Sequence, residues 1–302
     1  MGGGGGRYFP KQSKSLAKLL QQAQQQQDAD IEINDYLRGL LAKFNSRDVE
    51  KIGEYLDDLI KALGSKVEID KLNFGGSVAK HTYVDGLSDV DALVVLDSDE
   101  HAGESPQQLI DRFHQALKTK LSRAKVERID KGKMAVTVAY EDGTEIQLLP
   151  AKKSGKEISI PNPERNGWKT VDPGAFRQKL TDANEKLNGL LVPTIKLFKA
   201  AVAGLPEQQQ ISGYHAEALC VKSLAGYQGA PTLRGTVQHA LEQGAQNVMS
   251  PIADITGQSG HIDEYLGSAG STQRMVVSNG LYGLARRLKN APTTAGWKST
   301  FD

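Results

Sequence analysis

The segment Phe74-Gly75-Gly76-Ser77 is followed, after eleven residues, by Asp89-Val90-Asp91-Ala92-Leu93-Val94-Val95-Leu96. The two glycines permit a sharp turn and let the backbone come close to a ligand. Ser77 stands where a short helix, running to about Thr82, begins. Its hydroxyl and the N–H groups after it suit an anion such as phosphate. Residues 90–96 form a near-continuous apolar run, which reads as a buried strand. Asp89 and Asp91 lie two apart on that strand and so emerge on one face. Two adjacent carboxylates repel and are costly to bury. A divalent cation is the simplest compensation. Hard oxygen donors favour Mg2+ or Mn2+, which a polyphosphate helps to hold. Taken singly, a Gly-Gly-Ser turn is an ordinary turn and an Asp-x-Asp a solvated strand edge. Their order and spacing together point to a metal and phosphate site.

Working outward, two helices are expected before this segment's first strand, after a shorter helical stretch over 13–28 that is rich in Leu, Lys and Gln. The first, capped by Asn34 or Asp35, carries Tyr36, Leu40, Leu41 and Phe44 at helical spacing. The second runs over 47–63 with an apolar stripe of Ile52, Tyr55, Leu56, Leu59, Ile60 and Leu63, and Gly64 is its C-cap. Strands are expected at 67–74, 90–96, 125–130, 134–140 and 145–149, with a helix over 106–121 and a tight turn at Glu141-Asp142-Gly143-Thr144. Residues 151–174 read as a long polar loop with Pro161, Pro163 and Pro173. Beyond it come helices over 175–188, 189–203, 212–227, 231–245 and 271–290, then a tail (291–302) with little periodicity. The pattern is α+β: a small mixed sheet with flanking helices, a helical lobe after it, and a ligand cleft between them. The expected divisions are an N-terminal arm (1–30), a catalytic core (31–174) and a C-terminal helical lobe (175–302).

The 302 residues carry 37 basic and 36 acidic side chains, a formal net charge of +1. No global basic field marks a nucleic-acid binder, so no stable nucleic-acid partner is expected. One cysteine, Cys220, cannot form a disulfide within the chain, which fits a reducing cytosol. No apolar run is long enough to span a bilayer, and no apolar segment marks a secretory signal. Gly2 to Gly6 reads as a flexible tail, since Gly6 stands where a myristoylation signal needs Ser or Thr.

Gly75-Gly76-Ser77, the eleven-residue gap and Asp89-Val90-Asp91 resemble the signature of the polymerase-β-like nucleotidyltransferase superfamily. Four later segments are similar to the cGAS-like bacterial members, the CD-NTases of anti-phage CBASS systems. They are Glu145-Ile146-Gln147-Leu148-Leu149-Pro150-Ala151, the loop with Ile160-Pro161, Trp168 and Asp172-Pro173, the helix Thr194-Ile195-Lys196-Leu197-Phe198-Lys199, and Ile211-Ser212-Gly213-Tyr214-His215. The resemblance spans roughly residues 35 to 290. It implies a polymerase-β-like core and a cytoplasmic bacterial enzyme that joins nucleoside triphosphates (ATP, GTP or pyrimidine ones). The product would be a cyclic or short linear oligonucleotide signal read by a downstream effector. It further implies that Asp89 and Asp91 hold Mg2+ or Mn2+ and that Gly76 and Ser77 meet the phosphates. Lys199, with Lys196 beside it, would reach the triphosphate. Ser212 would lie near the phosphates and Tyr214 would stack on a base.

One position departs from the pattern. Gln147 stands where the family places a third carboxylate. An amide is a weaker ligand and no base. Glu145, two residues earlier on the same strand face, is the candidate substitute. The departure keeps a second reading open, a nucleotide-binding pseudoenzyme or sensor. A third, a template-independent RNA terminal nucleotidyltransferase, would need an RNA groove that the near-neutral charge does not supply. His81 and His215 read as structural or solvated, Cys220 as a core residue, and Lys152, Lys153 and Lys156 as a solvated basic loop.

Overall fold

A computed structural model describes residues 10–64, 67, 69–96, 101, 103–121, 125–154, 157–162, 167–254, 256 and 261–301. The glycine run 2–6 and Lys156 lie outside the described residues. The chain opens with α1 (Pro10–Phe44), α2 (Val49–Gly64), β1 (Ile69–Phe74), α3 (Gly76–Ala79), β2 (Val90–Leu96) and α4 (Pro106–Lys120). Then come β3 (Val126–Lys131), β4 (Val136–Tyr140), β5 (Glu145–Ser154), β6 (Glu157–Asn162) and β7 (Gly167–Val171). The rest is helical: α5 (Pro173–Lys186), α6 (Leu191–Ala203), α7 (Gly213–Ser223), α8 (Leu233–Asn247), α9 (Thr272–Lys289) and α10 (Thr294–Phe301).

The sheet is mixed, in the order β1-β2-β5-β4-β3, with β6 pairing with the end of β5, and β7 with β6. β2 and β5 run parallel, with Asp91 opposite Gln147, and the other pairs are antiparallel. Strand alternation then sorts the side chains. Val90, Ala92, Val94 and Leu96 of β2 and Ile146 and Leu148 of β5 point to one face, where α2 and α4 bury them. Leu93, Val95 and Ala151 form a small cluster on the other face. Asp89, Asp91 and Gln147 share the parity of that second face, so the packing of the first determines where they emerge. The second core is helical. It gathers α5 to α10 together with Ile33, Leu37 and Leu40 of α1.

Side-chain caps place most helix starts. Ser105 and Gln108 form a capping box on α4; Asp172, Ser212, Thr232 and Ser271 cap α5, α7, α8 and α9.

Three expectations are corrected. The stretches 13–28 and 34–44 form one continuous helix, because no Gly or Pro interrupts the chain between Lys11 and Arg38 and Gln propagates helix well. Asn34 therefore caps nothing in its own helix. Its Nδ2 donates to Asp30 O (2.7 Å) and its Oδ1 accepts from Arg234 N (3.0 Å), satisfying a free N–H in the first turn of α8. The supposed loop 151–174 is mostly strand: β5 runs on to Ser154, and Glu157-Ile158-Ser159-Ile160 alternates as β6. Pro161 is tolerated there because it lies past the stretch of β6 paired with β5. The aperiodic tail forms α10, anchored by Trp297, which is wholly buried in the helical core.

Candidate active site

The turn, the strand and the helical lobe meet at a cleft of about 590 Å3. From the sheet side it is lined by Gly76, Ser77, Lys80, Asp89 and Asp91, and from the helical side by Lys199, Tyr214 and Glu217. Gly75 N donates to Asp91 O (2.8 Å), tying the turn to the strand. Gly76 has a left-handed φ of +49°, and a Cβ there would lie 1.5 Å from Asp91 Oδ2. The position requires glycine on both counts. The Asp91 carboxylate also accepts the Ser77 backbone N–H.

Both carboxyls sit above their ordinary pKa. For Asp91 the main cause is burial, and the Asp89 charge adds to it. For Asp89 burial is again the main cause. The Gln147 hydrogen bond opposes it, and Glu145 adds repulsion. Two desolvated carboxylates that repel each other fit a hard divalent cation. Among the described residues no group of three or more His, Cys, Asp and Glu is placed to hold a metal ion. The chain thus offers two acid donors, and phosphate oxygens and water would complete an Mg2+ or Mn2+ sphere.

Gln147 reaches this pair directly: its Nε2 donates to Asp89 Oδ2 at 2.5 Å. Glu145 emerges on the same strand face, as the spacing requires, but its carboxylate is paired with Arg128. It lies in a second groove of about 630 Å3 on the far side of Asp89, with Arg47, Lys51 and Thr144. Lys196 is not among the cleft-lining residues. Its Nζ donates to Asn45 Oδ1 and lies 4.2 Å from the Tyr83 ring centroid, and burial brings its pKa down to about 8. Lys199 does face the cleft. It donates to Glu217 Oε1 (2.7 Å) and Thr82 O (3.1 Å), and burial lowers its pKa against the pull of Glu217. Ser212 caps α7 by accepting from His215 N (3.3 Å), beside rather than in the cleft wall. Tyr214 lines the cleft. Its hydroxyl donates to Asp254 (3.2 Å) and its ring lies 4.8 Å from that of Phe176.

Two cleft residues escape a reading of the sequence. Glu217, almost fully buried, accepts from Lys80, Lys199 and Thr82. Burial works against its charge, but the two lysines outweigh it and hold its pKa below the ordinary value. The available signals were a Glu inside the apolar stretch 216–220 and a Lys three residues past Ser77. His215 and Cys220 are buried, as expected of structural residues. Lys152 is no free loop lysine: it lies half-buried on β5, and its Nζ donates to the carbonyls of His101 and Glu104 and lies 4.6 Å from the Trp168 ring centroid.

Residues 32–184, half of the chain, match the family described as the Second Messenger Oligonucleotide or Dinucleotide Synthetase (SMODS) domain. The chain belongs to this family. The fold agrees with solved members of the wider CD-NTase group. The Vibrio cholerae DncV cyclic AMP-GMP synthase, bound to a linear pppA(3',5')pG intermediate, superposes with a TM-score of 0.60 at 14% identity, covering 97% of this chain and 90% of that one. The Bradyrhizobium diazoefficiens CD-NTase CdnG with GTP gives 0.60 at 16%, covering 87% and 90%. The Elizabethkingia meningoseptica CdnE cyclic dinucleotide synthase gives 0.57 at 13%, covering 76% and 90%. At such identities these structures speak for the fold of the SMODS chain. It matches no curated protein sequence significantly. Among the described residues no helix is long and apolar enough to cross a membrane.

Proposed function

We propose that this SMODS chain joins nucleoside triphosphates into a cyclic or short linear oligonucleotide, a second messenger of bacterial anti-phage defence made in the cytoplasm and read by a separate effector. One observation carries the reading: Asp89 and Asp91 share a cleft wall with the Gly76-Ser77 turn, and the turn is bonded to Asp91. A sugar hydroxyl attacks the α-phosphorus, the bond to the bridging oxygen breaks, and pyrophosphate leaves. The chain's task is positioning and charge neutralisation. Ser77 and Lys199 receive the phosphates, Tyr214 orients the base, and Asp89 and Asp91 hold the cations. Bound Mg2+ or Mn2+ supplies neutralisation of phosphate charge and activation of the attacking hydroxyl.

Gln147 favours a second reading, a nucleotide-binding pseudoenzyme, because it spends its donor on Asp89 where the family places a third acid. Incubation with the four nucleoside triphosphates and Mg2+ or Mn2+ separates the two. A small oligonucleotide with pyrophosphate release supports synthesis. Binding without release supports the sensor, and extension of added RNA refutes both. In Gln147→Asp the synthase reading expects a rate gain of about tenfold or more, the worth of a regained carboxylate at the metal site.

A further inference from the structure

Glu217 is a carboxylate sealed at the cleft floor, and it joins the two halves of the molecule. Lys80 and Thr82 come to it from the segment around α3, and Lys199 from α6. Its two lysines are not equivalent. Lys199 spends its donors on Glu217 Oε1 (2.7 Å), Thr82 O (3.1 Å) and Thr82 Oγ1 (3.5 Å). Among the described residues Lys80 donates to Glu217 alone. An ammonium carries three N–H donors, so Lys80 retains donors for a ligand. Its head is also aimed. Nζ lies 4.7 Å from the Phe176 ring centroid and 5.0 Å from that of Tyr214, so two aromatic faces and one carboxylate limit its directions. Lys80 lines the cleft three residues beyond Ser77, and its charge is felt at Asp91.

From this arrangement we infer that Lys80 is the lysine of the cleft floor that donates to a polyphosphate, with Lys199 adding its positive charge behind it, and that Glu217 is the positioning residue that holds both ammoniums there. The inference rests on the nucleotide reading above and deepens it. A polyphosphate that runs from the Asp89–Asp91 wall meets Lys80 first, because Lys80 and Asp91 flank the same turn. Lys199 backs it from the helical side. Glu217 prevents the two ammoniums from repelling each other out of register.

The test uses the full chain, Mg2+ and two probes, the α,β-methylene analogue of ATP and adenosine. Lys80→Met keeps the stem against Phe176 and Tyr214 but removes the charge. It should weaken the analogue about ten- to a hundredfold, the worth of a charge-assisted hydrogen bond, while adenosine binding stays within about twofold. Lys80→Arg should restore most of the loss. Glu217→Gln should lower analogue affinity with the same split between the probes. If Glu217→Gln does not fold, the Lys80 pair decides. Undiminished analogue binding by Lys80→Met would overturn the inference. So would equal losses for analogue and adenosine, since Lys80 would then only buttress the aromatic wall. If the unaltered chain binds neither probe, the nucleotide reading itself fails and this inference with it.

Discussion

Gln147→Glu replaces a donor with an acceptor at the 2.5 Å contact with Asp89 Oδ2 and changes almost no volume. Two effects add. The hydrogen bond to an ionised carboxylate is lost, which costs about 1.5–3 kcal/mol. A new like-charge contact forms; at roughly 4 Å and an effective dielectric near 20 it amounts to about 4 kcal/mol, an upper bound. Arg128 and Arg47 stand near enough to Asp89 to offset part of that repulsion. The expected loss at neutral pH without divalent cations is therefore about 3–5 kcal/mol. Urea unfolding monitored by circular dichroism, with chelator and then with Mg2+, measures it. A cation held by Asp89 and Asp91 should bind the variant more tightly than the parent chain, so Mg2+ should recover at least half of the loss. A variant within about 0.5 kcal/mol of the parent in chelator would refute the Gln147–Asp89 contact as a stabilising one. A loss identical with and without Mg2+ would refute the pair as a cation site.

Gly76→Ala places a methyl on Asp91 Oδ2 and forces an L-residue into φ +49°, a backbone cost of about 1–2 kcal/mol, so Asp91 must swing away from Ser77. On the synthase reading proposed above, nucleotidyl transfer should fall at least a hundredfold while the melting temperature drops by only a few degrees; intact turnover would show that Asp91 need not sit under the turn. His215, wholly buried and pushed by desolvation down to about 4, takes up its proton only after the unfolded chain has done so near its ordinary 6.5. Stability should thus fall as pH drops from 6.5 to 4, by about 3 kcal/mol from this residue, and stay flat above 6.5. The measurement is the denaturation midpoint against pH for the parent and His215→Gln. An equally steep slope in the variant would assign the loss to other groups.

Much of the site was legible because its geometry is local. The turn at 75–77 needs glycine, Asp89 and Asp91 share a face through the period of a strand, and the apolar run 90–96 demands burial. None of these depends on a distant residue. The strands 157–162 and 167–171 were missed because their short polar alternation resembles a loop until β5 supplies a partner. The helix around Trp297 was missed because eight residues without a stripe hold together only against the helical core.

Sequence alone determined that this chain builds a tight glycine turn followed by a carboxylate pair on one strand face, since both follow from backbone sterics and strand periodicity within twenty residues. Tertiary structure alone decided the partners. It turned Lys196 towards Asn45 and Tyr83, gave Glu145 to Arg128, laid Gln147 against Asp89, and brought Lys80 to Glu217, 137 residues along the chain. Such pairings depend on how the sheet and the helical bundle pack together, and no local spacing encodes that.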